Sequence, residues 1–158
     1  MLGKEGRKVI PKKILVCTDF SENSLPARQC AVEWAKAFKA ELAILHVVNS
    51  RFFGYPTFAD RVPMEMALIQ KNIEEGVLEE LDSIANECRK GLSNVEAHSR
   101  AGSPAEEIIR FANEESVDLI IMGTHGWTGV RHMILGSTAE NVVRTANCLV
   151  LSVRPKTG

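Results

Sequence analysis

Short apolar runs alternate along the chain with longer stretches whose apolar residues recur at helical spacing. Ile14-Leu15-Val16-Cys17 reads as a first buried strand. The stretch after it places Ala27, Ala31, Trp34, Ala35 and Phe38 on the inner face of a helix, with Ser21 as its expected cap. Leu42 to Val48 reads as a second strand and 49–63 as a long loop. Met64 to Lys90 reads as a second helix with Val77, Leu81, Ile84, Ala85 and Cys88 as its apolar stripe. Val95 to Arg100 gives a weaker third strand. Ser103-Pro104-Ala105-Glu106 then opens a third helix, with a Ser cap, Pro at the first helical position and Glu at the third, the pattern of a capping box. Val117 to Met122 is the fourth strand. Ser137-Thr138-Ala139-Glu140 repeats the capping-box pattern and starts the last helix, and Cys148 to Val153 is the fifth strand.

Strands separated by helices predict right-handed crossovers and a single α/β domain: an open, mainly parallel five-stranded sheet with helices on both faces. In such sheets ligands bind beyond the carboxyl ends of the strands, where the strand order reverses. The residues just after each strand are therefore the candidates for chemistry.

Composition narrows the partners. With 158 residues and 45% apolar content, the chain can build one domain around a buried sheet. Residues 1–12 read as a basic tail carrying Lys4, Arg7, Lys8 and Lys12, interrupted by Glu5; the domain is expected over 13–155 and a short tail over 156–158. A net charge of −1 gives no long-range attraction for nucleic acid or an anionic membrane, so neither is an expected partner. The tail has no apolar h-region of a signal peptide, and no apolar run approaches the roughly 18 residues that span a bilayer. Cys17, Cys30, Cys88 and Cys148 form no CxxC pair and fall inside expected strands and helices, as buried thiols of a reducing compartment do. A cytoplasmic protein is expected. Together with His46, His98, His125 and His132 the cysteines show no zinc-ligand spacing. His46 and His98 lie in strands and read as structural histidines.

The most informative segment is Gly123-Thr124-His125-Gly126-Trp127-Thr128-Gly129, followed by Gly136-Ser137-Thr138. It begins where the fourth strand ends and finishes where a helix begins. A glycine-rich turn lets backbone N–H groups approach phosphate oxygens closely. The helix that follows adds free N–H groups and the positive end of its dipole. Arg131 and His132 on the connecting stretch add candidate positive charge. There is no GxxxxGK[ST], so this is not a P-loop with its phosphate lysine. There is no GxGxxG after the first strand, so the dinucleotide fingerprint is missing. On glycine content alone, a phosphate cradle and a plain connection with a helix cap stand equal.

A resemblance separates them. Gly123-x2-Gly126-x9-Gly136-Ser137 resembles the ATP-binding signature of the universal stress protein family. Ile14 to Ser21, Leu45-His46-Val47-Val48, Gly102-Ser103-Pro104, and the text from Asp118 to Met122 and from Gly136 to Val142 are similar to the same family. The likeness runs from about Lys13 to Pro155. It implies a Rossmann-like sheet in order 3-2-1-4-5 with ATP over strands one and four. Asp19 is then expected to accept hydrogen bonds from the ribose hydroxyls. Val47 is expected to meet adenine through its backbone, with Cys17, Thr18 and Met122 nearby. Gly123, Thr124, His125, Gly126, Gly136, Ser137 and Thr138 are expected around the phosphates. Cys17 stands where relatives often carry Pro or Val. Mg²⁺ or Mn²⁺ is expected on the phosphates rather than in a protein cage, and a homodimer is expected through the last strand, Cys148 to Val153.

The function so implied is that of an ATP-binding regulatory or stress-response protein, with no catalytic residue assigned. The alternatives are a slow ATPase or adenylate-transferring enzyme on the same fold, and a dimeric adaptor with an empty site. The related enzymes carry H-x-G-H or Ser-Gly-Gly after the first strand, where this chain has Thr18-Asp19-Phe20-Ser21. Phe52, Phe53, Tyr55 and Phe58 in the long loop read as a local packed cluster.

Overall fold

The computed structural model describes residues 10–49, 64–125 and 135–155. The basic tail to residue 9, the aromatic segment 50–63, the stretch 126–134 with Gly126, Trp127, Arg131 and His132, and 156–158 lie outside the described residues.

Five strands, β1 (Lys13–Cys17), β2 (Glu41–Asn49), β3 (Val95–Gly102), β4 (Leu119–Gly123) and β5 (Leu149–Val153), form one sheet in the order β3-β2-β1-β4-β5. Every neighbouring pair is parallel. Among the described residues four helices connect them: α1 (Leu25–Phe38), α2 (Met64–Arg89), α3 (Pro104–Glu114) and α4 (Ser137–Thr145).

The strands alternate their side chains between two cores, as the period of two dictates. Ile14, Val16, Leu42, Ile44, Leu119 and Ile121 face α1 and α2, meeting Ala27, Ala31 and Ala35 of the first helix and Leu81, Ile84, Ala85 and Cys88 of the second. Leu15, Ala43, Leu45, Ile120 and Met122 face α3 and α4, meeting Ile108, Phe111, Ala139 and Val142. Burying one such Leu or Ile side chain contributes about 1.5–3 kcal/mol, so the central strands β1 and β4 carry much of the stability.

Several local expectations are corrected. Trp34 and Phe38 are not in the core: they are 38% and 40% exposed and pack edge-to-face on each other, 5.7 Å between centroids. Three alanines fill the inner face of α1 instead, which lets the helix lie close to β1 and β4. Ser21 does not cap α1. A 3₁₀ turn, Glu22–Ser24, intervenes, and the residue before the helix is Ser24. Ser103 does precede α3, with Pro104 opening the helix, but its hydroxyl makes no capping bond. Ser137 is the first residue inside α4 rather than its cap. Gly136 occupies the cap position, and its carbonyl accepts the Glu140 N–H at 2.8 Å.

Candidate functional site

The chain leaves β1 toward β2 on one side, and β4 is added on the other. The strand order thus reverses between β1 and β4, the place where open α/β sheets bind ligands. A cavity of about 560 Å³ opens there, within the roughly 300–1,000 Å³ of ligand pockets. Eleven of the twelve expected site residues line it: Cys17, Thr18 and Asp19 from the end of β1, Val47 from β2, Met122 to His125 from the end of β4, and Gly136 to Thr138 at the start of α4. The twelfth, Gly126, lies outside the described residues.

The β1 side is a tightly bonded turn. Thr18 N–H donates to the Leu45 carbonyl at 3.0 Å, continuing the pairing with β2. The buried Thr18 hydroxyl lies 3.1 Å from Ser24 Oγ, and Ser24 Oγ donates to the Ser21 carbonyl at 2.8 Å. The Ser24 proton is thereby used, so Thr18 Oγ1 donates to Ser24 and accepts the Phe20 N–H at 3.1 Å. Asp19 Oδ1 accepts both the Ser21 N–H at 3.0 Å and the Ser21 hydroxyl at 2.6 Å. Phe20 between them has φ of +65°, a left-handed conformation that costs a bulky residue on the order of 1–3 kcal/mol.

His46 holds this turn from β2. Its Nδ1 is 2.9 Å from the Thr18 carbonyl oxygen. A carbonyl only accepts, so Nδ1 carries the proton. Its ring stacks on Phe20, 4.1 Å between centroids and 22° between planes. Burial pushes the imidazole below its usual range, against the opposing influences of the Thr18 carbonyl and Asp19. His46 is thus structural as expected, but it also lines the cavity. Sequence reasoning missed that second role, together with Leu45, Asn49, Pro104 and Ile108 in the same lining. The position of His46 one residue before Val47 was the available signal.

The β4 side is held by backbone. Thr124, 2% exposed, donates its N–H to the Val153 carbonyl of β5 at 3.1 Å and accepts the Gly136 N–H at 2.7 Å. Its hydroxyl lies 2.9 Å from His125 Nδ1. Two glycines here are crowded by the protein's own backbone. A Cβ on Gly123 would stand 3.1 Å from the Asn23 carbonyl oxygen, and one on Gly136 would stand 3.1 Å from that of Thr124.

The lining is chemically divided. Leu45, Val47, Val48, Met122, Pro104 and Ile108 supply apolar walls, while Asp19, His46, Asn49, Thr124, His125 and Ser137 supply polar groups. Among the described lining residues Asp19 is the one carboxylate, and none is Lys or Arg. Cys17 is in the wall, with its thiol pushed up to about 12 chiefly by burial, so it stays protonated and unreactive at neutral pH. All four cysteines are free. Among the described residues no group of three His, Cys, Asp or Glu side chains is placed to hold a metal ion, and no helix is long and apolar enough to cross a membrane.

Comparison with known proteins places this architecture. The chain is 37% identical over 144 residues to the universal stress protein MJ0531 of Methanocaldococcus jannaschii, covering 90% of this chain and 82% of that protein. It is 33% identical to the universal stress protein MJ0577 of the same organism, covering 94% and 98% of the two. The solved structure of MJ0577 superposes with a TM-score of 0.77 at 34% identity, covering 95% of this chain and all of that one. A universal stress protein of Archaeoglobus fulgidus, solved in complex with dAMP, shares the fold at a TM-score of 0.61 and 22% identity, covering 92% of this chain and 99% of that one. The model of the universal stress protein family matches residues 11–154, so sequence and fold agree across the whole sheet and its helices, and the chain belongs to the universal stress protein family.

Proposed function

We propose that this chain binds ATP in the cavity between β1 and β4 and acts as a nucleotide-dependent regulatory protein in the stress response, belonging to the ATP-binding branch of its family. The observation that carries the reading is the convergence on one cavity of Asp19 from β1 and of the Gly123–His125 and Gly136–Thr138 backbone from the opposite side. The carboxylate suits the ribose hydroxyls. The apolar side chains of Leu45, Val47 and Val48, with Pro104 and Ile108 in the same lining, suit a purine. The first turn of α4 offers N–H groups without intrahelical partners and the positive end of the helix dipole to phosphate. That a fold neighbour holds dAMP agrees with this reading at the level of fold alone.

No Lys or Arg from the described lining neutralises a triphosphate. The charge is instead met by backbone N–H groups, hydroxyls and a Mg²⁺ or Mn²⁺ ion held mainly by the phosphates themselves. Four unpaired cysteines suit a reducing cytoplasm. A second copy of the chain pairs through β5, whose outer edge has no strand beside it among the described residues and whose Leu149 is 50% exposed. The test is mass analysis of the nucleotide released when the purified protein is denatured. Near-stoichiometric adenine nucleotide is expected. No nucleotide, and no stabilisation by added ATP, refutes the proposal.

A further inference from the structure

The turn that presents Asp19 is held on both flanks by one side chain. The residue before Asp19 gives its carbonyl to His46 Nδ1–H at 2.9 Å, and the residue after it lays its ring on the His46 imidazole at 4.1 Å. Phe20 makes that stack from a left-handed backbone, at φ of +65°. Without the stack, the turn has less reason to hold a conformation that bulky residues avoid. Ser21 bonds to Asp19 Oδ1 from within the same turn, so these contacts travel with the turn rather than anchor it to the sheet. The Thr18 amide and His46 supply anchors to β2, and of the two only His46 reaches past Asp19 to Phe20.

We propose that His46 is the positioning residue for Asp19: its Nδ1–H and its ring clamp Thr18 and Phe20, fix the left-handed turn between them, and thereby set the carboxylate for the ribose of the bound nucleotide. This rests on the nucleotide reading of the cavity. It assigns His46 a function in sugar recognition exerted through Asp19. The neutral state that partial burial favours suits the role, because a protonated ring would place a second charge beside the carboxylate and compete for it.

The test compares the affinities of ATP and of 2′,3′-dideoxy-ATP, which lacks both ribose hydroxyls, by calorimetry on the full chain. The proteins are wild type, Asp19→Ala, His46→Ala, His46→Asn and the double variant Asp19→Ala/His46→Ala. A hydrogen bond to a charged group is lost with the dideoxy sugar, so the wild type is expected to favour ATP by about tenfold or more. In His46→Ala that preference, taken as the ratio of the two affinities within the same protein, falls to within about twofold of unity. His46→Asn keeps an N–H donor for the Thr18 carbonyl and recovers part of the preference; it also serves if His46→Ala folds poorly. In the double variant, removal of His46 adds little to the loss caused by Asp19→Ala, because the two act as one unit.

A wild-type preference for ATP that survives undiminished in both His46 variants overturns the proposal. So does full additivity in the double variant, which makes His46 an independent contact. Failure of wild type to bind either nucleotide refutes instead the reading of the cavity on which the proposal rests.

Discussion

Gly136 donates its backbone N–H to the carbonyl of Thr124 at 2.7 Å, closing the two ends of the glycine segment on each other. The contact leaves little room for a side chain, since a Cβ on Gly136 would sit 3.1 Å from that same carbonyl oxygen and push it back by a few tenths of an ångström. The Gly136 φ of −72° is open to any residue, so space and not backbone freedom favours the glycine. Gly136→Ala is therefore expected to destabilise the nucleotide-free protein by about 1–3 kcal/mol, as overpacking does. For a domain of this size the melting midpoint falls by roughly 2–12 °C. An unchanged midpoint without nucleotide would show that the segment yields freely.

Gly126 is expected to act differently, through ligand rather than through packing. At ~100 times its dissociation constant, ATP stabilises the folded state by about 2.7 kcal/mol and raises the midpoint by very roughly 5–11 °C. Gly126→Val is expected to abolish that shift, because a β-branched side chain fills phosphate space and resists positive φ. Asp19→Ala is expected to keep part of it. The comparison is made within each variant, with and without ATP, by thermal melting. A full shift in Gly126→Val removes the phosphate role from the loop.

Stability is expected to depend on pH through His46. Its folded pKa lies below the ordinary histidine value of about 6.5, so the unfolded chain takes up the proton first as pH falls. The stability it contributes is complete above about pH 6.5 and is lost as pH falls through the folded value. Denaturant titrations between pH 7.5 and 5 should show a steeper loss in wild type than in His46→Asn. Equal slopes would mean that the ring is protonated as readily in the fold as outside it.

Divalent metal is expected to bind only with nucleotide. Asp19 is the one carboxylate among the described lining residues, and its Oδ1 already accepts two bonds from Ser21. Calorimetry of Mg²⁺ into nucleotide-free protein should give no tight binding. Micromolar affinity without nucleotide would contradict this.

Self-association is expected through β5. Leu149→Lys places a charge at a half-exposed position of the edge strand and should leave the fold intact. Light scattering should give a dimer for wild type and a monomer for the variant. A monomeric wild type at micromolar concentration sinks the expectation.

The alternation of strands and helices was legible because all the connections are crossovers of a parallel sheet, each leaving its own apolar run or stripe. The local helix starts were not. Ser21, Ser103 and Ser137 all have the residue type of a cap, and none makes the side-chain capping bond. Ser21 spends its hydroxyl on Asp19, and the cap of α4 falls on Gly136, where Thr124 crowds a larger residue. Trp34 and Phe38 share the period of the alanine face yet stay partly exposed, Phe38 as the last residue of α1, which a pattern of apolar positions does not separate from buried ones. Much of the cavity lining was reached through the family resemblance carried by the strand ends and the glycine spacing, while Leu45, Asn49, Pro104 and Ile108 were not assigned to it. The part of His46 was not legible, because it depends on Phe20 turning left-handed, which no residue type announces.

The pairing of β1 with β4 also sets when the cavity can come into being. Asp118, just before β4, accepts the backbone N–H of Lys13 at the start of β1, and the two residues are 105 apart in the chain. Between them are made α1, β2, α2, β3 and α3. At ribosomal speeds of roughly 5–20 residues per second, that stretch takes on the order of 5–20 s to synthesise. Throughout this interval a nascent chain already carries Asp19 but has no opposite wall. If the cavity takes nucleotide as proposed, such a chain cannot draw on the cellular nucleotide pool, and ligand cannot rescue one that stalls before β4 is made.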